Sequence, residues 1–585
     1  MESSSSIENS TRCVLEDYRR CSESHLWKLM MSFYDRKGPD SWSQGIVPHF
    51  ITCNAFIGKA YAKVLQGFIA DCLRPDSKMS LSTDEPLYIV ELGCGSGKFS
   101  YYMLKALEEM KDVCDFPFEK IVFVMTDFTE KNFDFWKDHP ALKDYFASGQ
   151  LDAAIFDAVY DRDIKLWKSG KVLSRNSVVN PICIVANYLF DTLYHDIFQV
   201  DNGILKEGLV STGSKWAEEP DPLEPDIIGR LDNLYKYEEI GTDYYNSEEG
   251  DEEHLARILQ WYLDYFKDNS QGASVLVPIG ALRALRRLTA LTGDRAIVIS
   301  GDKGNNNPDQ FAGLMDPHLA VHGSFSLMVN YHAIGTYFVS KGGIAVHNYQ
   351  EEASLKCSCF VLGHGLDDEG EEWNSGNMTT MNDERSAKFP NMNRSFNDSI
   401  EGFGPNDFFV LQKSLKEDFE TPPLRTVVAL LKLGDWDPDV FFKFRDIILN
   451  QAPSCGQKLK NDLCRGIPRV WKNYYAMDTE KDIAFEIGRF YYGIRDYAHA
   501  LKFYRISTEE IGPHHVTYHN QGLCFYSMGE LRNALANFAK SKDMNANYEK
   551  ARNWHAKCLK ELEAKEDTVF ASVGAKITEA DNNTN

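Results

Sequence analysis

The residues Glu91-Leu92-Gly93-Cys94-Gly95-Ser96-Gly97-Lys98 bring an acid, three alternating glycines and a lysine into eight positions. Glycines at this spacing let backbone touch a nucleotide-like ligand, because no Cβ stands in the way. Three loop types compete for the stretch, and spacing separates them. A phosphate loop of the form G-x-x-x-x-G-K-[ST] needs glycine at 92 and a hydroxyl at 99 to hold magnesium; the chain has Leu92 and Phe99. The dinucleotide fingerprint G-x-G-x-x-G, counted from Gly93, would need its third glycine at Lys98. What remains is acid-x-G-x-G-x-G.

The elements that must position this turn alternate between strand and helix. YIVEL at 88–92, IVFVMTD at 121–127, LDAAIFDAV from 151 and PICIVAN at 181–187 are short apolar runs, and Phe99, Met103, Leu104 and Leu107 fall on one helical face. This reads as a parallel sheet with helices on both faces, an α/β fold of Rossmann type, spanning residues 86–364. Ligands bind beyond the carboxyl ends of such strands. The residues closing them, Glu91 to Gly93, Asp127, Phe156-Asp157 and Asn187, are therefore the candidate site, although a strand-end acid also serves as a turn former or helix cap.

Around this domain the pattern predicts a helical N-terminal cap over 1–85 and an acidic insertion over about 201–272. Residues 201–255 hold sixteen acidic against four basic residues, a solvated face. The sheet is expected to resume with ASVLV at 273 and RAIVIS at 295, then SFSLMVN and CSCFVLG flanking GIAVH. Residues 365–404 read as a disordered linker, 405–475 as helical and 566–585 as a polar tail. The loop PDSWSQGIVPHFITCN at 39–54 could close over the glycine turn or be plain surface.

The form Glu91-x-Gly93-x-Gly95-x-Gly97 resembles motif I of the class I S-adenosylmethionine (SAM)-dependent methyltransferases. That resemblance implies SAM as cofactor, with the glycines against its amino-acid tail, Asp127 on the ribose, and Phe156 and Asp157 at the adenine. In amine-directed members an Asn at the position of Asn187 accepts a hydrogen bond from the substrate nitrogen; a capping Asn is the other reading. ANYLFDTLYHDIFQV resembles the N-E-x-x-D-A-L-P segment of the MidA-like methyltransferases, which include an assembly factor that methylates protein arginine. HFITCN, IVISGDKG and GSFSLMVNYHAIG match further pieces of that family in order, over residues 20–362. Tyr188, Tyr194 and Lys303 depart from its Glu, Pro and Tyr, so arginine is not carried over as substrate. Asp191 is retained and is the acid left to hold a cationic nitrogen. His195, His322 and His332 are the histidines to watch as bases, each more readily read as structural.

Gly488 and Gly522 stand thirty-four residues apart, and Tyr491, Tyr497, Ala500 and Tyr504 around the first answer to Phe525, Leu531, Ala534 and Phe538 around the second. Over 476–565 this resembles tetratricopeptide (TPR) repeats, which implies a protein partner or substrate on their concave face. The net charge of −23 argues against a nucleic-acid partner. Thirteen cysteines without a C-x-x-C pair read as reduced thiols, with no metal site. No apolar segment is long enough to cross a membrane, and the expected location is cytoplasmic. Two functions follow: a SAM-dependent methyltransferase acting on a nitrogen of a recruited protein, or an inactive methyltransferase-like scaffold for the repeats.

Overall fold

The computed structural model describes residues 12–38, 40–43, 46, 50–248, 250–313, 316–367, 373–477 and 481–582. It divides into a mixed α/β unit ending at Val410 and a helical unit beginning at Leu411. The strands used below are β1 (Cys13–Arg20), β2 (Leu87–Leu92), β3 (Ile121–Asp127), β4 (Leu151–Ile155), β5 (Ile182–Asn187), β6 (Asp196–Asp201), β7 (Ile204–Ser214), β8 (Leu234–Glu239), β9 (Ala273–Val277), β10 (Ala296–Asp302), β11 (Ile344–His347) and β12 (Lys356–Leu362).

A seven-stranded sheet in the order β11-β12-β10-β5-β2-β3-β4 forms the core of the first unit. Strands β2, β3, β4, β5 and β10 are parallel, and β12 runs antiparallel to both β10 and β11. Every residue of β2 is buried, which is why the run is apolar except for Glu91 rather than alternating. The helix Lys98–Glu109 leaves the turn directly after Gly97. The helix Ala55–Cys72 begins at Asn54, whose side chain accepts the Ile57 N–H at 3.1 Å, and it packs on Lys98–Glu109 where Gly58 lies against the backbone of Tyr102 and Met103.

A second, antiparallel sheet has the order β1-β7-β6-β9, with β8 also on β7. It corrects two expectations. The N-terminal segment is not wholly helical, since β1 pairs with β7, and ASVLV does not resume the first sheet but pairs as β9 with β6. The acidic stretch supplies β7, β8 and the helix Glu252–Phe266. Arg20 of β1 donates to Asp196 of β6 at 2.7 Å; Asp196 also takes the Tyr245 hydroxyl at 2.9 Å and the Ser22 N–H at 3.2 Å. SFSL likewise leaves the main sheet and forms a hairpin with Leu319–His322.

Residues 365–404 are also corrected. They carry the helices Met378–Ser386 and Pro390–Phe396 and a π turn at Asn397–Glu401. Met381, Met392, Phe396 and Ile400 are buried. The buried carboxylate of Asp71 accepts the N–H groups of Asn391 and Met392 at 3.2 and 2.9 Å, satisfying the start of the second helix. Gly67 gives that helix room, since a Cβ there would lie 2.5 Å from the Asn391 carbonyl oxygen.

In the helical unit, Ile483–Gly493 and Tyr497–Glu510 form one antiparallel pair, and His515–Ser527 and Leu531–Met544 a second. The pairs are alike in detail. A Cβ on Gly488 would stand 2.6 Å from the Tyr504 ring, and one on Gly522 2.6 Å from the Phe538 ring. The helix Glu549–Asn582 follows and runs on through the expected tail. No described helix is long and apolar enough to cross a membrane.

Candidate functional site

The carboxyl ends of β2, β3 and β5 open into a cleft of about 820 Å³ lined by the glycine turn, Asp127 to Thr129, Asn132, Asn187 to Leu189 and Tyr34. A lobe of about 580 Å³ shares Tyr34, Gly93, Asp127, Phe128 and Leu189 with it and adds Phe156, Asp157, Met30, Met31 and Tyr194. Two folds of the chain thus build one site: the sheet supplies its floor, and the helix His25–Lys37 supplies Met30, Met31 and Tyr34.

The turn is held by its own neighbours. Gly93, Gly95 and Gly97 all have positive φ, at 61°, 51° and 76°. The Cys94 N–H donates to the Thr126 carbonyl at 2.9 Å, the Gly95 N–H to Asp127 Oδ2 at 3.1 Å, and the Trp136 indole to the Gly95 carbonyl at 2.8 Å. Asp127 also accepts the N–H and hydroxyl of Thr129, each at 3.1 Å. Burial raises its pKa while these donors oppose the rise. Glu91 lies deeper and is bonded to the Ser100 hydroxyl; burial pushes its carboxyl up to about 8. Asp157 holds the N–H groups of Val159 and Tyr160 at 2.8 and 3.2 Å, a turn-forming role beside the second lobe.

At the end of β5, Asn187 Oδ1 accepts the Tyr61 hydroxyl at 2.9 Å. Its Nδ2 is buried and has no partner. Tyr188 follows with φ 44°, left-handed backbone that is strained for a bulky residue, and its N–H donates to the Gly301 carbonyl at 3.0 Å. Leu189 and Thr192 line the cleft, whereas the Asp191 side chain is buried behind them. The Asp191 N–H donates to Asp302 Oδ2 at 3.1 Å. Burial pushes Asp191 up to about 7 and Asp302 well above the carboxylate range, since two adjacent buried carboxyls do not both ionise.

The structure therefore brings Glu91, Gly93, Gly95, Asp127 and Asn187 to one cleft and Phe156 and Asp157 to its second lobe, while Asp191 turns away. The histidines do not join them. His195 is fully buried with Nδ1 2.7 Å from the Leu193 carbonyl, and burial lowers its pKa to about 4. His332 is bonded to the Tyr262 hydroxyl at 2.9 Å and lowered to about 3. The side chain of His322 and part of the loop 39–54 lie outside the described residues.

No family model and no curated protein matches the chain. Two solved structures from Burkholderia thailandensis are similar in part. One, an uncharacterized COG1565 superfamily protein, has 11% identity, covers 59% of this chain and 87% of its own, and has a TM-score of 0.35. The other, a COG1565 superfamily member bound to S-adenosyl-homocysteine, has 12% identity, covers 59% and 88%, and has the same TM-score.

Sequence reasoning passed over Tyr34, Tyr61, Phe128, Asn132 and Asp302. Tyr61 sits in an apolar helical stripe, where its hydroxyl was the one polar signal. Asn132 directs Oδ1, which is buried and unpartnered, into the cleft's lining, so that an unmatched acceptor and the unmatched donor of Asn187 belong to the same cavity.

Proposed function

We propose that this chain is a SAM-dependent methyltransferase. The observation that carries this reading is the convergence of the acid-x-G-x-G-x-G turn with Asp127, Phe156-Asp157 and Asn187 on one two-lobed cleft, at the carboxyl ends of a sheet ordered β11-β12-β10-β5-β2-β3-β4 with β12 reversed. That order, with one reversed strand beside β10, supports the class I methyltransferase reading.

The residues present fit the cofactor. Its ribose hydroxyls need acceptors, and the cleft holds an unpartnered one, Oδ1 of Asn132. The glycine turn would take the tail, Asp127 and Asn132 the ribose, and Phe156 with Met30 and Met31 an apolar wall for the base. The cofactor supplies an activated methyl group on a sulfonium.

The paired helices after residue 482 support a TPR reading through the matched contacts Gly488–Tyr504 and Gly522–Phe538, and we infer that they engage a protein. A nitrogen acceptor would share Asn187 Oδ1 with the Tyr61 hydroxyl. Isothermal titration with S-adenosyl-homocysteine tests the cofactor. Micromolar binding that disappears in Gly95→Arg is expected; absence of heat from the unaltered chain refutes the reading in favour of a scaffold.

A further inference from the structure

The orientation of the Asn187 amide follows from a short chain of buried groups. The Tyr61 hydroxyl has one proton to give and two neighbours, Asn187 Oδ1 at 2.9 Å and Cys357 Sγ at 3.8 Å. A carbonyl oxygen at ordinary hydrogen-bond distance outcompetes a weak, distant sulfur acceptor. The proton therefore goes to Asn187, whose Nδ2 is turned away from Tyr61. Gly301 preserves the arrangement, since a Cβ there would overlap the Tyr61 hydroxyl.

Asn187 thus offers the cleft a donor. Beside it Tyr188 lines the same wall, and burial holds its phenol protonated, a second donor. The carboxyl groups lining this lobe are committed: Glu91 to Ser100, and Asp127 to Gly95 and Thr129. Asp191 is buried against Asp302, and no histidine or lysine lines the lobe among the described residues. An ammonium or guanidinium would find no histidine or lysine among the described residues lining this lobe to take its proton.

Resting on the methyltransferase reading, we propose that the methyl acceptor is a carboxylate and that the product is a methyl ester. A carboxylate oxygen is nucleophilic as it stands. It forms the new O–CH3 bond as the S–CH3 bond breaks, the bonding pair stays on sulfur as a neutral thioether, and no proton moves. The anion and the sulfonium cation neutralise each other, which a partly buried cleft favours over bulk water. Asn187 Nδ2 and the Tyr188 hydroxyl hold the second carboxylate oxygen.

The experiment incubates the full chain and cell extract with SAM carrying a tritiated methyl group, then treats the protein and small-molecule fractions with alkali. Label released as volatile methanol supports the proposal, and the fraction that yields it tells a protein carboxylate from a free metabolite. Label that survives alkali, or no label from a chain that binds S-adenosyl-homocysteine, overturns it. Failure of S-adenosyl-homocysteine to bind overturns the underlying reading instead, so the two failures are distinct. Asn187→Asp, nearly isosteric, replaces the donor by a repelling charge. Its ester yield should fall at least a hundredfold while S-adenosyl-homocysteine affinity changes less than threefold; an equal loss of affinity would assign Asn187 to the cofactor and refute the proposal.

Discussion

The contact between Tyr61, Asn187 and Gly301 can be broken from two sides, and the two breaks should not add. Tyr61→Phe removes the hydroxyl that lies 2.9 Å from Asn187 Oδ1, in a side chain that is fully buried. One hydrogen bond is lost and the Asn187 oxygen is left unmatched, costing about 1–3 kcal/mol. Gly301→Ala does the opposite. Its φ is not in the left-handed region, so the backbone accepts alanine, but the new methyl overlaps the Tyr61 hydroxyl and stands 3.3 Å from both Asn187 Oδ1 and Cys357 Sγ. Overpacking of this kind costs about 1–3 kcal/mol. In the double variant the methyl enters the space the hydroxyl has left. The combined loss should fall short of the sum by about 1–2 kcal/mol, a coupling typical of residues in direct contact. Urea unfolding of the four proteins measures it, following the transition that saturating S-adenosyl-homocysteine moves to higher denaturant, so that the α/β unit is the one observed. Losses that add to within about 0.5 kcal/mol would refute the packing argument, and with it the orientation assigned to the Asn187 amide.

Glu91, held at about 8 in the folded chain against a reference of 4.5, binds its proton more tightly folded than unfolded. Its contribution to stability is complete below pH 4.5 and is lost as the pH rises to 8, at up to about 1.4 kcal/mol per pH unit. Glu91→Gln should flatten that part of the stability–pH curve, measured by denaturant midpoints; an unchanged slope refutes a neutral Glu91. Arg20→Ala strips the guanidinium from buried Asp196 and leaves it only the Tyr245 hydroxyl and the Ser22 N–H, so a loss of about 3 kcal/mol is expected. The deficit should shrink in acid as Asp196 protonates, and a deficit independent of pH would deny the ion pair its role. Gly488→Ala and Gly522→Ala each drive a methyl into an aromatic ring and should destabilise the helical unit by about 1–3 kcal/mol, read by calorimetry. Equal stability of both variants would refute the tight pairing of those helices.

The central strands were legible because strands buried on both faces are predominantly apolar, and β2, β3 and β5 read that way with an acid or amide at or next to the end. The second sheet was not, because its pairings are remote: Cys13 lies opposite Ser214, and no local pattern in CVLEDYRR announces a partner so far along the chain. ASVLV has the apolar run of a central strand and was assigned to the wrong sheet, since composition reports burial but not against what. The helices over 378–401 escaped because each is short: Met392 and Phe396 become apolar anchors only when the helix Ala55–Cys72 is beneath them, and Met381 only against Tyr331–Ser340 and Ile344–His347. Asp191 was legible as a residue near the site but not as one facing inward, which depends on Asp302 more than a hundred residues later.

The glycines carry the same distinction between place and cause. Gly93 was read as leaving room for a ligand, yet a Cβ there would meet Leu189 Cδ1 at 2.8 Å before it met anything bound. Leu189 is where it is because Tyr188 turns through left-handed backbone, tied to the Gly301 carbonyl. Gly301 in turn is small because Tyr61 needs the space to reach Asn187. The turn after β2, the turn after β5 and the end of β10 are therefore one packed assembly, in which Gly93 and Gly301 each answer a side chain from another element, Leu189 of the turn after β5 and Tyr61 of the helix Ala55–Cys72. A substitution at Gly301, remote from the glycine motif in sequence, should accordingly disturb the same cleft as one at Gly93. The strain at Tyr188 is held by that assembly, and it sets a phenol beside Asn187 on the wall of the cleft.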